Sequence, residues 1–269
     1  MRVDTTGKIS LDHIYTSPDP RAYFGTLREL DYNIPELAKP HFRRFIAEYR
    51  QALGVPRPTV LDIGCSYGIN AALVKYGATM GELYDRYGGR DAHRRTRATL
   101  LARDRELTRS HETANDLRFL GLDASEEALS YALEAGFLDG TVHADLENGD
   151  PTDEQRAQLA GTDLVISTGC LGYVTERTIS RIVEAQDGRR PWMAHFVLRM
   201  FPFDPIADTL AAAGYETVRH DGLFRQRRFA TPQERSLVLD RLAAAGVDPA
   251  GLETTGWFYA RLYISKPCT

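Results

Sequence analysis

The stretch TVLDIGCSYGINAAL, residues 59–73, limits the possible folds of this chain more than any other segment. TVLDI is a short apolar run rich in β-branched residues, and it is followed at once by glycines, which predicts a buried strand. A helix is predicted to start near Ile69. Gly64 lets the chain turn tightly after the strand. Gly68 either lets the backbone approach a ligand or lets the helix pack closely on the strand. A strand, a glycine turn and a helix make the first βα unit of an open parallel sheet, where ligands sit beyond the carboxyl ends of the strands. The turn lacks the G-x-G-x-x-G spacing of a dinucleotide site and the Lys-Ser/Thr pair of a phosphate loop.

The rest of the chain fits that start. Strand signals recur at 119–123, 141–144, 163–167, 193–198, 215–218 and 258–265, and helical patterns at 126–135, 153–159 and 176–185 lie between them. Such βαβα alternation implies a mostly parallel sheet covered by helices, an α/β fold. Ahead of it, residues 1–57 form a helical head rich in proline and aromatics: Tyr15, Tyr23, Phe24, Tyr32, Phe42, Phe45 and Tyr49. A helix is predicted over 40–53, with Pro40 in its first turn. Residues 58–269 carry the sheet, interrupted at 77–117 by a highly charged stretch with few β-branched residues, read as a helical insertion. That insertion either walls a pocket or is a solvated helix pair. At FRQRRF, the alternation of Arg225, Arg227 and Arg228 with Phe224 and Phe229 fits an edge strand with one wet face better than a phosphate site. An amphipathic helix follows it.

With 269 residues and 43% hydrophobic content the chain can bury a full core. A net charge of −4 gives no general attraction to nucleic acid or anionic membrane. No apolar run of about 18 residues occurs. MRVDTTGKISLDH lacks the apolar core of a leader peptide, so a cytoplasmic location is expected. Cys65, Cys170 and Cys268 have neither metal-ligand spacing nor an even count, so free thiols and no metal site are expected.

The spacing of Asp62, Gly64, Ser66 and Gly68 resembles motif I of the class I S-adenosylmethionine-dependent methyltransferases, with Ser66 in place of the middle glycine. The later stations of that family follow in order. RFLGLDAS ends in Asp123, which the resemblance assigns to the ribose hydroxyls, with Ala124 beside it. TVHADLEN supplies Asp145 and Leu146 for the adenine, and DLVISTGCLGYV supplies Ser167, Thr168 and Gly169 for the methionine portion. The late pair of strands resembles the antiparallel hairpin that closes the fold. The likeness covers about residues 60–265. It implies a Rossmann-like class I methyltransferase fold: a mostly parallel seven-stranded sheet with a helical N-terminal lid and a helical insertion between the first helix and second strand. Asp123 lies 55 residues beyond Gly68, where about twenty is usual. The insertion accounts for the gap.

S-adenosyl-L-methionine is the implied cofactor, held by Asp62, Gly64, Cys65, Ser66, Gly68, Asp123, Ala124, Asp145, Leu146, Ser167 and Thr168. Its sulfonium carries its own leaving group, so the enzyme has mainly to align the reacting atoms and exclude water. The fourth strand ends STGCLGY, without the DPPY tetrad of amide and adenine methylation, and no HxxH or His/Glu pair stands out. His195 and His143 read as core histidines; Tyr173 and Arg199 are better placed for chemistry. SPDPRAYFGTLRELDYNIP, residues 17–35, looks like the lid of an actinobacterial subgroup of methyltransferase-like proteins that includes the cyclases forming azetidine-2-carboxylate. In such a cyclase Tyr23, Tyr32, Asn70 or Tyr173 would accept hydrogen bonds from the reacting amine; packing of the lid is the other role for the tyrosines. Small-molecule methyl transfer in bacterial specialised metabolism is the leading expectation. Cyclisation of S-adenosylmethionine, with no second substrate, is the alternative, and a non-catalytic assembly module is a third reading. The expected partner is a small molecule, not nucleic acid or membrane, and a homodimer is an open arrangement.

Overall fold

The computed structural model of the protein describes residues 11–110 and 116–268. Residues 1–10, part of the stretch read for a leader peptide, and residues 111–115 of the insertion lie outside the described residues. β1 (Thr59–Ile63) is buried along its whole length, as an apolar run covered on both faces must be. It pairs in parallel with β2 (Arg118–Asp123) on one side and with β4 (Leu164–Thr168) on the other. β3 (Gly140–His143) lies beyond β2 and β5 (Trp192–Leu198) beyond β4, both in parallel. β7 (Trp257–Pro267) runs antiparallel beside β5, and β6 (Tyr215–Arg228) runs antiparallel to β7 at the edge. The seven strands stand in the order β3-β2-β1-β4-β5-β7-β6. This is the mostly parallel, hairpin-closed sheet that the sequence implied. The strand order reverses between β1 and β4, the position at which open α/β sheets form a crevice.

The helices follow the predicted alternation. α1 (Asp12–Tyr15), α2 (Arg21–Glu29) and α3 (Ile34–Leu53) precede the sheet. α4 (Ile69–Val74) follows the glycine turn; α5 (Met80–Gly88), α6 (Arg90–His93) and α7 (Arg97–Arg109) form the insertion. α8 (Glu126–Ala135), α9 (Asp153–Leu159), α10 (Glu176–Glu184), α11 (Asp204–Ala212) and α12 (Pro232–Ala244) complete the chain. The expected first-turn proline of the head helix is corrected. α3 begins at Ile34 with Pro35 in its first turn, and Pro40 sits inside it, where its missing N–H removes one backbone bond. Phe42 packs edge-on against Phe196, and Tyr49 against Trp192, so α3 covers the sheet directly. Buried residues of the head and of the sheet belong to one hydrophobic core.

The insertion carries the head. Phe24 of α2 stacks on Tyr87 of α5 with ring centroids 4.7 Å apart. Below them the buried Asp104 carboxylate accepts hydrogen bonds from Tyr87 at 2.8 Å and from Tyr131 of α8 at 2.6 Å. Three polar side chains thus fix α5, α7 and α8 to one another, and α2 rides on the result.

Residues 224–228 of FRQRRF lie in the edge strand β6 and Phe229 follows its end; Arg227, expected on a wet face, is buried. Arg228 pairs with Asp31, Arg227 is locked bidentately on Glu234, and Arg225 covers the Trp257 ring at 4.9 Å. Among the described residues no helix is long and apolar enough to cross a membrane.

Candidate functional site

Just beyond the C-terminal ends of β1, β2 and β4, at the reversal of strand order, lies a cavity of about 270 Å³. Its floor is the glycine turn, Gly64, Cys65 and Ser66, with Asp123 from the end of β2. Asn70 of α4 and Thr168 of β4 form the deep wall, and Tyr15, Tyr23 and Tyr32 of the head form the roof. Tyr173, 42% exposed, stands at the mouth.

The turn explains the motif. Gly64 takes φ +65° and a Cβ there would sit 2.7 Å from the Cys170 Cβ, so a side chain would both strain the backbone and collide. Ser66 takes φ +49°, a left-handed conformation that favours glycine and that serine adopts here at a cost. Its N–H donates to Asp123 Oδ2 at 2.8 Å, while Ser125 N–H donates to Oδ1 at 2.9 Å. Each carboxylate oxygen therefore keeps acceptor capacity for a ligand. Burial pushes Asp123 above the usual carboxylate range, and those backbone donors oppose the shift.

Behind the cavity, Asp62 is 0% exposed, and burial pushes its pKa up to about 8 against the hydrogen bond from Asn70. Asn70 uses its amide nitrogen twice, donating to Asp62 Oδ1 at 3.0 Å and to Thr168 Oγ1 at 3.1 Å. The Tyr32 and Tyr23 rings meet edge-on at 6.4 Å, and burial raises the pKa of both tyrosines. Both hydroxyls stay neutral at any ordinary pH. Ser66 Oγ, Asn70 Oδ1 and Gln226 Oε1 are buried with no hydrogen-bond partner among the described residues.

Of the residues expected at the site, Tyr23, Tyr32, Asn70, Tyr173, Gly64, Cys65, Ser66, Asp123 and Thr168 meet at this cavity. Others lie elsewhere, for visible reasons. Asp62 supports Asn70 from behind. Gly68 is not at the cavity: its missing side chain makes room for Ala132 and Phe137, where a Cβ would come within 3.2 Å and 3.1 Å, so close packing on α8 is its role. Ser167 turns into the core, its Oγ 2.8 Å from His195 Nδ1. Ala124 is exposed, with its carbonyl 3.1 Å from His143 Nε2. The exposed Asp145 carboxylate folds onto its own turn, accepting from Asn148 Nδ2 at 2.7 Å, and Leu146 is buried in the core. His195 is a core histidine, its pKa pushed down to about 3 by burial. His143, expected in the core, is exposed because it ends the short outer strand β3. Arg199 is a structural cation, paired with Glu253 at 2.6 Å. Cys65, Cys170 and Cys268 are free thiols.

Gly169, expected with Ser167 and Thr168 at the end of the fourth strand, lines the cavity, whereas sequence reading missed Cys170, Gln226 and Arg227. Cys170 closely follows the predicted end of β4 and could have been included. The others come from the far edge of the sheet, where no local pattern marks them.

The head is fastened over the strand ends. Tyr67 donates its hydroxyl to the carbonyls of Ile14 at 3.0 Å and Ser17 at 2.8 Å, and Ser125 Oγ donates to the Tyr15 carbonyl at 2.6 Å.

No family model and no curated protein matches the chain. Among solved structures, the plantazolicin methyltransferase BpumL in complex with SAH is similar at 12% identity over 95% of this chain and 93% of that one, with a TM-score of 0.45. The magnesium protoporphyrin IX methyltransferase (ChlM) from Synechocystis PCC 6803 with bound SAM is 13% identical over 85% and 79%, with a TM-score of 0.40. The [4+2]-cyclase SpnF is 15% identical over 84% and 81%, with a TM-score of 0.41.

Proposed function

We propose that the chain is an S-adenosylmethionine-dependent enzyme acting on a small molecule, with methyl transfer as its leading reaction. The observation that supports this most is the convergence of the 64–66 turn, Asp123, Asn70 and Thr168 on one tyrosine-roofed cavity at the reversal of strand order. When bound, S-adenosylmethionine supplies an electrophilic carbon on a sulfonium that carries its own leaving group. Asp123, with acceptor capacity left on both oxygens, would hold the ribose diol. Gly64 lets the backbone come close to the ligand. Tyr15, Tyr23 and Tyr32 exclude water and present π faces and neutral hydroxyls to a cationic centre. Asp145 gives the adenine no carboxylate inside the cavity, so the base would rest on apolar contacts there.

A second reaction, closure of S-adenosylmethionine to azetidine-2-carboxylate with release of methylthioadenosine, has one observation in its favour. The roofed cavity gathers Asn70, Thr168, Tyr23 and Tyr32, polar groups able to orient an amine without charging it, and this reaction needs no second substrate. Incubating the protein with S-adenosylmethionine alone separates the readings. Methylthioadenosine as product supports cyclisation, adenosylhomocysteine formed only with an acceptor supports methyl transfer, and absence of saturable binding overturns both in favour of a non-catalytic role.

A further inference from the structure

β6 would bring only every second side chain toward the sheet's neighbours, yet Gln226 and Arg227 are consecutive and both buried, at 4% and 3% exposure. A bulge makes this possible. Arg225 pairs with Tyr259 and Arg228 with Trp257, so the two residues between oppose Phe258 alone. Bulges of this kind re-aim a side chain and are common beside active sites. The head pins this bulge on both sides: Asn33 N–H donates to the Gln226 carbonyl at 2.9 Å, and Arg228 N–H to the Leu30 carbonyl at 2.8 Å.

Gln226 reaches from there across the end of β4. At Gly169 a Cβ would lie 2.1 Å from Gln226 Nε2, so the glycine clears the path of this side chain. With Nε2 turned to Gly169, Oε1 is left buried and without a partner among the described residues, on a side chain that lines the cavity. Asn70 presents the same signature from the opposite wall: both its donor bonds are used, and its Oδ1 is unmatched. The cation in the lining, Arg227, is neutralised by Glu234 at 2.7 Å. Two buried amide oxygens on side chains that line one cavity, each costly to leave unpaired, call for a ligand that donates hydrogen bonds.

We infer that Gln226 is a binding residue for the amino nitrogen of the ligand's aminoacyl end, with Asn70 as its counterpart. This rests on the S-adenosylmethionine reading above and extends it to a residue delivered by the far edge of the sheet. The test is calorimetric titration of wild type, Gln226→Leu and Gln226→Glu with S-adenosylmethionine and with methylthioadenosine, which keeps the nucleoside and lacks the aminoacyl group. Gln226→Leu is expected to bind S-adenosylmethionine about tenfold or more weakly and methylthioadenosine as wild type does, while Gln226→Glu, which keeps an acceptor, retains both affinities. Wild-type affinity for S-adenosylmethionine in Gln226→Leu, equal loss for both compounds, or loss in Gln226→Glu alike overturns the inference. A wild-type protein that binds neither compound overturns the cofactor reading itself.

Discussion

Asp62 is a carboxyl group with no exposure and one oxygen, Oδ2, without a partner. Burial raises its pKa from 3.8 to about 8, so the folded protein keeps a proton there that the unfolded chain releases. Stability from this group is therefore fully present below the unfolded pKa of 3.8 and is lost as pH rises through about 8. Asp62→Asn, neutral throughout, should gain on wild type by about 1.4 kcal/mol for each pH unit across this window, read from denaturant unfolding at several pH values. Parallel curves for the two proteins would show that Asp62 is ionised when buried. Ser66 makes a second case. Its φ of +49° costs a non-glycine residue about 1–2 kcal/mol, part of which glycine returns as unfolded-state freedom. Ser66→Gly should thus be more stable by about 0.5–1 kcal/mol. A less stable variant would mean that the serine hydroxyl holds the turn.

At the scale of elements, the head segment around α1 is tied to the sheet through few side chains, and Tyr67 donates to two of its carbonyls. Tyr67→Phe keeps the ring and removes those bonds, so backbone amides of residues 14–19 should exchange faster, with a loss of about 1–2 kcal/mol in global stability. Unchanged exchange there would mean that ring packing alone holds the segment. What could be read from sequence follows the same physics. β1 and β4 were legible because strands covered on both faces are continuous apolar runs, and α8 and α9 were found with their observed bounds. β6 was read in two separate pieces, 215–218 and FRQRRF, because an edge strand with exposed arginines has no such run, although it is one strand from Tyr215 to Arg228. Asp123 was legible from its place at the end of a strand. Gln226 was not, because a bulge on a distant strand delivers it and nothing in VRHDGLFRQRR signals which residue turns inward.

Across the whole molecule, head, insertion and sheet act as one device. The insertion braces α2 through the Phe24–Tyr87 stack, α2 and the following turn bring Tyr23 and Tyr32 over the strand ends, and β6 closes the far side. The cavity is built from residues spread from Leu11 to Arg227, so it exists only when the complete sheet and head are folded together. On the function proposed above, this composite cavity holds S-adenosylmethionine by the ribose at Asp123. The most direct measurement is calorimetric titration of wild type and Asp123→Asn with S-adenosylmethionine. One saturable site per chain in wild type, with affinity about ten- to a hundredfold weaker in the variant, is the expected result; no saturable binding to wild type, or equal affinity in both, contradicts it.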